Sequence, residues 1–379
     1  MTAAVTVAGL TSAAGGSAAA AATPVPRGFA ANSMTWISPL RGWVLGHAPC
    51  GGTVCTYVIG STDGGKTWQR GGSVAAPIAR IGEPDRPGVT EVAFATAKAG
   101  FVFAPDLFRT SNGGRTWTRM AIPGGGGQVL DLESNASAAF ALVSPCKWAS
   151  FHNCTGQLSL WRTSTLTGTG WTRIPMKLPR GTRGDVAVHG QSVYVVDPQE
   201  DITGNKDKFY ASTDGGQHFA ARTVPCDKPA TPNVPLVQAV ATSATNVALL
   251  CVGNPGFSKA KKFVYTSTDA AASYRYAGMM GAYGYQSQLA VSRSGNLAVA
   301  SVSDGSFIYI NNTHGGTTWT MVWASSDGGV GWNDIHYVTD REAWIVRGGP
   351  AWLLNGPGKL YVTHDAGKKW YIHPIRSAS

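Results

Sequence analysis

The sequence predicts an all-β fold, a seven-bladed β-propeller with four-stranded antiparallel blades, and three observations predict it. A turn-like segment closing on an aromatic residue recurs seven times at a period near 50 residues. Two short β-like runs precede each copy, a third leads into it and a fourth leaves it. The composition agrees: 48 Gly, 21 Pro and 10% aromatic residues in a chain of 379, only 14% of it charged, suit strands and turns better than helices. The 13 Trp supply apolar surface enough to exclude a disordered chain. No apolar run of about 18 residues is present, which excludes a polytopic membrane protein.

Residues 1–26, MTAAVTVAGLTSAAGGSAAAAATPVP, carry no charged side chain and end in small residues before Thr23. They read as a secretory signal peptide, or else as an Ala-rich N-terminal tail, ahead of one propeller domain spanning 27–376. The six cysteines fall into three local pairs, Cys50/Cys55, Cys146/Cys154 and Cys226/Cys251. An even, clustered set predicts disulfides in an oxidising, extracytoplasmic compartment. Zinc is the competing reading, with His47 and His152 nearby, but the repeated CxxC spacing of structural zinc sites is absent.

The repeated segments are STDGGKTW (61–68), TSNGGRTW (to Trp117), TSTLTGTGW (to Trp171), STDGGQHF (to Phe219), STDAAASY (to Tyr274), NTHGGTTW (to Trp319) and THDAGKKW (to Trp370). Their closing aromatics are 49, 54, 48, 55, 45 and 51 residues apart. Asp63, Asn112, Asp214, Asp269, His314 and Asp365 hold the third position, where a short polar side chain can accept hydrogen bonds from its own turn. The glycines that follow supply the positive φ of a tight turn. Each closing ring, Trp68 for example, starts the next strand as an apolar plate. The motif therefore reads as structural. Flanking runs such as Met34–Ile37 with Gly42–Leu45, and Ile335–Val338 with Ala343–Val346, provide the first two strands of a blade. Ring closure has two solutions: every blade contiguous, or residues 27–33 adding a strand to the last blade.

S-x-D-x-G-x-x-W is the Asp-box, or bacterial neuraminidase (BNR) repeat. Over roughly residues 34–376 the chain resembles the broad group of Asp-box β-propellers. The phrase RGWVLG (Arg41–Gly46) ahead of STDGGKTW is similar to photosystem II assembly-factor-like propellers. The resemblance implies the fold more than the function, since sialidases, xyloglucanases, sortilin-type receptors and assembly factors share the box. One further match, SSDGGVGW (Ser325–Trp332), ends only 13 residues after Trp319, too close for a blade, and reads as a loop imitating the motif.

Strands that alternate in direction place the boxes on one face and the second-to-third and blade-to-blade loops on the other. All six cysteines fall on or near the second, stapled face. Its long loops hold Trp148, Phe257, Tyr283, Tyr285, Trp323, Trp332 and Trp352, a candidate stacking platform for protein or glycan. The same rings would otherwise only pack their own loops. A glycosidase needs two carboxyl groups, or a Tyr nucleophile with an acidic partner, and a sialidase adds an arginine clamp. Glu83, Asp85, Arg80, Arg86 and Tyr283 are the candidates for that chemistry. The resemblance weakens here, because Arg173-Ile174-Pro175 follows the third box rather than preceding the first. No HExxH, GxSxG or GxxxxGK[ST] motif occurs, so neither metal nor cofactor is called for. The net charge of +10 favours an anionic partner but brings no nucleic-acid motif, and Lys259, Lys261 and Lys262 read as a solvated loop tip. The expectation is a secreted, monomeric, non-enzymatic binding or assembly scaffold, with a sialidase-like glycoside hydrolase on the same face as the alternative.

Overall fold

The computed structural model describes residues 23–79, 87–146, 156–163, 170–181, 183–198, 207–226, 234–253, 260–281, 283–284, 286–328, 330–348 and 358–378. The chain forms seven four-stranded antiparallel sheets, each built from four consecutive strands. Blade 1 holds β1 (Ala30–Ser38), β2 (Arg41–Cys50), β3 (Thr53–Ser61) and β4 (Gln69–Val74). Blade 2 holds β5 (Glu91–Phe94), β6 (Gly100–Phe103), β7 (Leu107–Thr110) and β8 (Thr118–Arg119). Blade 3 holds β9 (Gln128–Ser134), β10 (Ala139–Ser144), β11 (Ser159–Thr163) and β12 (Thr172–Arg173). Blade 4 holds β13 (Asp185–His189), β14 (Ser192–Asp197), β15 (Lys208–Ser212) and β16 (Ala220–Arg222). Blade 5 holds β17 (Leu236–Ala241), β18 (Val247–Val252), β19 (Lys262–Ser267) and β20 (Arg275–Met280). Blade 6 holds β21 (Gln286–Val291), β22 (Leu297–Val302), β23 (Ser306–Asn311) and β24 (Thr320–Ser325). Blade 7 holds β25 (Trp332–Tyr337), β26 (Ala343–Arg347), β27 (Lys359–Thr363) and β28 (Tyr371–His373).

The first strand of each blade is innermost, and five of the seven second strands, such as β14 and β22, are buried throughout. Seven apolar wedges fill the gaps between neighbouring blades, and the closing aromatic of each turn plugs the wedge toward the preceding blade. Trp68 enters the wedge between blades 7 and 1 beside Trp344 and Trp36. Trp117, Trp171, Phe219, Tyr274, Trp319 and Trp370 do the same around the ring.

The turns explain the recurrence. Ser61 donates its hydroxyl to Asp63 (2.8 Å) and accepts the Gly65 N–H (2.9 Å), while Asp63 accepts the Thr67 N–H (3.0 Å) and hydroxyl (2.6 Å). Thr110/Asn112, Ser212/Asp214, Ser267/Asp269 and Thr363/Asp365 repeat the pattern. Residues four and five of the turn are left-handed, as in Gly64 (φ 74°) and Gly65 (φ 79°), which is why glycine dominates there. In the sixth copy Asn311 occupies the serine position and Thr313 the aspartate position. His314 takes the left-handed slot (φ 46°), and its imidazole pairs with the Ser294 carbonyl at 2.9 Å. The turn is one residue longer, which displaces His314 by one place from the position that spacing assigns it.

All blades are contiguous, so residues 30–33 belong to the innermost strand of blade 1 rather than to blade 7. The ring closes where the Trp68 N–H donates to Arg376 (2.8 Å) and the Ala378 N–H returns to the Trp68 carbonyl (2.9 Å). The Val25 N–H donates to Ser377 Oγ at 3.1 Å, bringing both ends of the described chain together. Ser325–Trp332 links β24 to β25 on the stapled face and forms no blade of its own. Among the described residues no helix is long and apolar enough to cross a membrane.

Candidate functional site

The inner strands carry backbone N–H groups with no partner inside their own blade, and a group enclosed by protein needs one. One polar side chain at the head of each first strand meets that need for the next blade. Ser33 Oγ accepts the Val92 N–H (3.1 Å), Asp131 the Val186 N–H (2.6 Å) and Asp185 the Ala239 N–H (2.9 Å). Gln238 accepts the Leu289 N–H (2.7 Å), Gln288 the Asp334 N–H, and Asp334 the Met34 N–H (2.5 Å). Six of the seven blade junctions are thereby tied in a ring around the axis. At the remaining one, from blade 2 to blade 3, the Leu132 N–H bonds its own neighbour Asp131 at 2.8 Å.

This axial channel is acidic although the chain is basic overall. Protein surrounds Glu91, Asp131, Glu133 and Asp185, yet water reaches them, and the neighbouring His336 side chain is 41% exposed. Burial raises the Glu91 carboxyl well above its ordinary value, with the Asp334 charge adding to the effect. Burial likewise raises Asp131 to about 6, and raises Glu133, with help from Asp131, to about 8. Asp185 is raised by burial and by Asp131. Burial lowers His336, but the Asp334 carboxylate at 2.5 Å outweighs that and holds the imidazole above its ordinary value. The Ser33 hydroxyl has one proton to share between Asp334 (2.8 Å) and Glu91 (3.1 Å). Glu133 ties no two blades together and is the acid least committed to the frame.

The Cys50–Cys55 and Cys226–Cys251 disulfides form on the stapled face, with Cα separations of 5.8 and 5.6 Å. Cys154 lies outside the described residues. So do Arg80, Glu83, Asp85, Arg86, Trp148, Phe257, Tyr285 and Trp352. Tyr283 is 50% exposed, stacks on Phe307 at 5.4 Å, and offers its carbonyl to Lys262 Nζ (2.7 Å). Lys262 is no solvated tip. It is fully buried and also donates to Ala260 (2.9 Å) and Gly284 (2.9 Å), bracing the segment that carries Tyr283 from beneath. Burial pushes its ammonium down to about 7.

Trp323 and Trp332 turn toward each other (5.3 Å) and toward Tyr361, enclosing the Arg347 guanidinium at 5.3 and 5.1 Å from their ring centres. Arg347 in turn pairs with Asp327 of the SSDGGVGW segment. The Asp327 carboxylate accepts the Ser325 and Ser306 hydroxyls, which is how this segment copies the turn chemistry without forming a blade.

Among the described residues no group of three or more His, Cys, Asp or Glu side chains is placed to hold a metal ion. The axial ring escaped the sequence reading because each blade supplies only one of its members. Its signal is a polar residue followed by an apolar one at the head of each first strand: Ser33-Met34, Glu91-Val92, Asp131-Leu132, Asp185-Val186, Gln238-Ala239, Gln288-Leu289 and Asp334-Ile335.

No protein-family model matches the sequence, and no curated protein matches it. Solved structures do. The β-propeller domain of the Trilobed protease from Pyrococcus furiosus, described as having an open velcro topology, aligns with a TM-score of 0.52 at 9% identity, over 92% of this chain and 96% of that one. YCF48 bound to D1 peptide aligns at 0.41 and 14% identity, over 93% and 83% of the two chains. A Trypanosoma rangeli sialidase aligns at 0.46 and 13% identity, over 70% and 49%. The chain is thus similar to propellers that include a peptide-bound protein and a glycoside hydrolase, and at these identities the likeness establishes the fold alone.

Proposed function

We propose that the protein is a secreted, non-enzymatic binding or assembly scaffold, one propeller domain over 27–376 behind an N-terminal leader of 1–26. In this reading the Asp-box turns are the structural hubs of the BNR repeat. The stapled face presents its loop aromatics, Tyr283 foremost with Trp148, Phe257, Tyr285 and Trp352, to a protein or glycan. The observation that carries the proposal is the use made of the channel carboxylates. Asp131, Asp185 and Asp334 each accept a backbone N–H from the following blade, so the groups most like a catalytic centre serve the frame. Lys262 supports it by fixing Tyr283, a described stapled-face aromatic that stands half in solvent. The disulfides suit an oxidising compartment.

A second reading has one observation in its favour. Glu133, raised to about 8, stays protonated at neutral pH and has the form of a general acid for a sialidase-like hydrolase, for which Glu83, Asp85, Arg80, Arg86 and Tyr283 are the sequence candidates. A panel of fluorogenic glycosides, sialosides included, separates the two readings. The scaffold reading expects no turnover by folded, oxidised protein, and glycan- or peptide-array binding that falls on Tyr283→Ser. Turnover lost in Glu133→Gln or Tyr283→Phe overturns it.

A further inference from the structure

A second recognition feature lies on the opposite, turn-bearing side of the ring. At the outer rim between blades 2 and 3 a cavity of about 550 Å3 opens, within the size range of small-ligand sites. Blade 2 contributes Arg109, Ser111, Thr116, Thr118 and Arg119 to its lining, and the facing blade contributes Trp171. Register explains the convergence. Phe101 pairs with Arg109, and Arg109 with Thr118, so all three side chains share the blade face turned toward blade 3. Phe101 fills the wedge against Trp171, 6.2 Å away, and where the wedge reaches the rim the lining changes from rings to a guanidinium and hydroxyls.

The two arginines are not equivalent. Arg119 is paired with Asp106 at 2.8 Å. The Arg109 side chain, only partly exposed, has no hydrogen-bond or ion-pair partner among the described residues. The corresponding rim position is Gly60, Ala211, Thr266, Ile310 and Val362 in blades 1, 4, 5, 6 and 7. Blade 3 has Arg162 opposite Thr172, but that guanidinium lies over the Phe140 ring at 6.0 Å with its Nε buried. Among the described residues at this rim position, blade 2 brings a guanidinium with no side-chain partner to a cavity with an indole across it.

A planar cation with free donors matches a carboxylate bidentately, hydroxyls match sugar hydroxyls, and an indole offers a stacking plate for a pyranose ring. We propose that this rim cavity binds a carboxylate-bearing sugar of an acidic oligosaccharide, with the carboxylate on Arg109, the ring against Trp171, and Ser111 and Thr118 on its hydroxyls. The net charge of +10 favours the approach of such a polyanion. The proposal is independent of the stapled-face reading, since it uses other blades' rims and the opposite face.

The test is isothermal titration of the full oxidised protein in 150 mM NaCl with trigalacturonate, maltotriose and sodium sulfate. Saturable binding of trigalacturonate alone is expected, weakened at least tenfold by Arg109→Gln and severalfold by Trp171→Phe, and changed less than twofold by the exposed-surface control Arg27→Gln. Absence of trigalacturonate binding, or binding that survives Arg109→Gln, overturns the proposal. So does an equal loss in Arg27→Gln, which would mean diffuse charge attraction, or sulfate binding as tightly, which would mean a plain anion site. Should Arg109→Gln fail to fold, the Trp171 indole N–H resonance of the unmodified protein must shift with trigalacturonate and stay still with maltotriose; a stationary resonance overturns the proposal equally.

Discussion

The axial ring and the peripheral turns use the same chemistry with opposite electrostatic results. In both, a carboxylate accepts backbone N–H groups. At the rim, hydrogen bonds from Ser273 and Ser267 hold Asp269 at about 2, and the His218 N–H with Ser212 holds Asp214 well below the carboxylate range. On the axis, Asp131 accepts two N–H groups and is nevertheless raised to about 6. The difference is the surroundings. A turn aspartate keeps water around it, so each hydrogen bond favours its charge, whereas the channel acids lose hydration and face one another. Closing a ring with acids therefore costs ionisation free energy that closing a turn does not.

The largest effect that probes this contrast is expected at Asp334, which serves the Met34 N–H, the Ser33 hydroxyl and His336 together. Asp334→Ala should cost roughly 3 kcal/mol in urea unfolding, because it strands several enclosed polar groups at once. A cost below that of a turn variant would break the contrast between ring and rim.

Next is Glu133→Gln. The carboxyl is raised from an ordinary 4.5 to about 8, so its stabilising contribution is complete below pH 4.5 and is lost as pH climbs through 8. The glutamine variant should match the parent at pH 5 and exceed it by about 2 kcal/mol at pH 9, a figure halved from the full shift because water enters the channel. Parallel unfolding curves across that range would mean that Glu133 is fully hydrated.

Asp63→Ala should cost about 1 kcal/mol at neutral pH, the worth of a solvent-screened turn network. Smallest is Asp269→Asn. Its lowered value stabilises above pH 4 and is lost as pH falls toward 2, so parent and variant should differ slightly at pH 7 and converge at pH 2. A gap that widens in acid would contradict the assigned direction.

What could be read from the sequence tracks the range of the interactions. The turns and the cysteine pairs are local, so turn spacing revealed seven blades and the closing aromatics, and cysteine spacing the two disulfides now formed. His314 shows the limit even there, because an eight-residue template cannot register a nine-residue turn. The ring depends on residues some fifty positions apart, each alone in an apolar strand, and no window shows them together. Lys262 sits in a run of basic residues that looks solvated, and only the carbonyls of Tyr283 and Gly284, twenty residues downstream, reveal it as buried. The stapled-face aromatics divide by contact. Trp323 and Trp332 close on Arg347, while Tyr283 keeps half its surface in water.

The meeting of Val25 with Ser377 has a topological corollary. Because each sheet is a continuous stretch of chain, the ring has no privileged opening. A circular permutant could relink 378 to 23 through a short spacer and begin instead at Gly125 or Gly126, where an added Cβ would meet nothing within 4 Å. All seven sheets would remain whole, and the order of blades along the polypeptide would become a matter of where synthesis starts rather than of architecture.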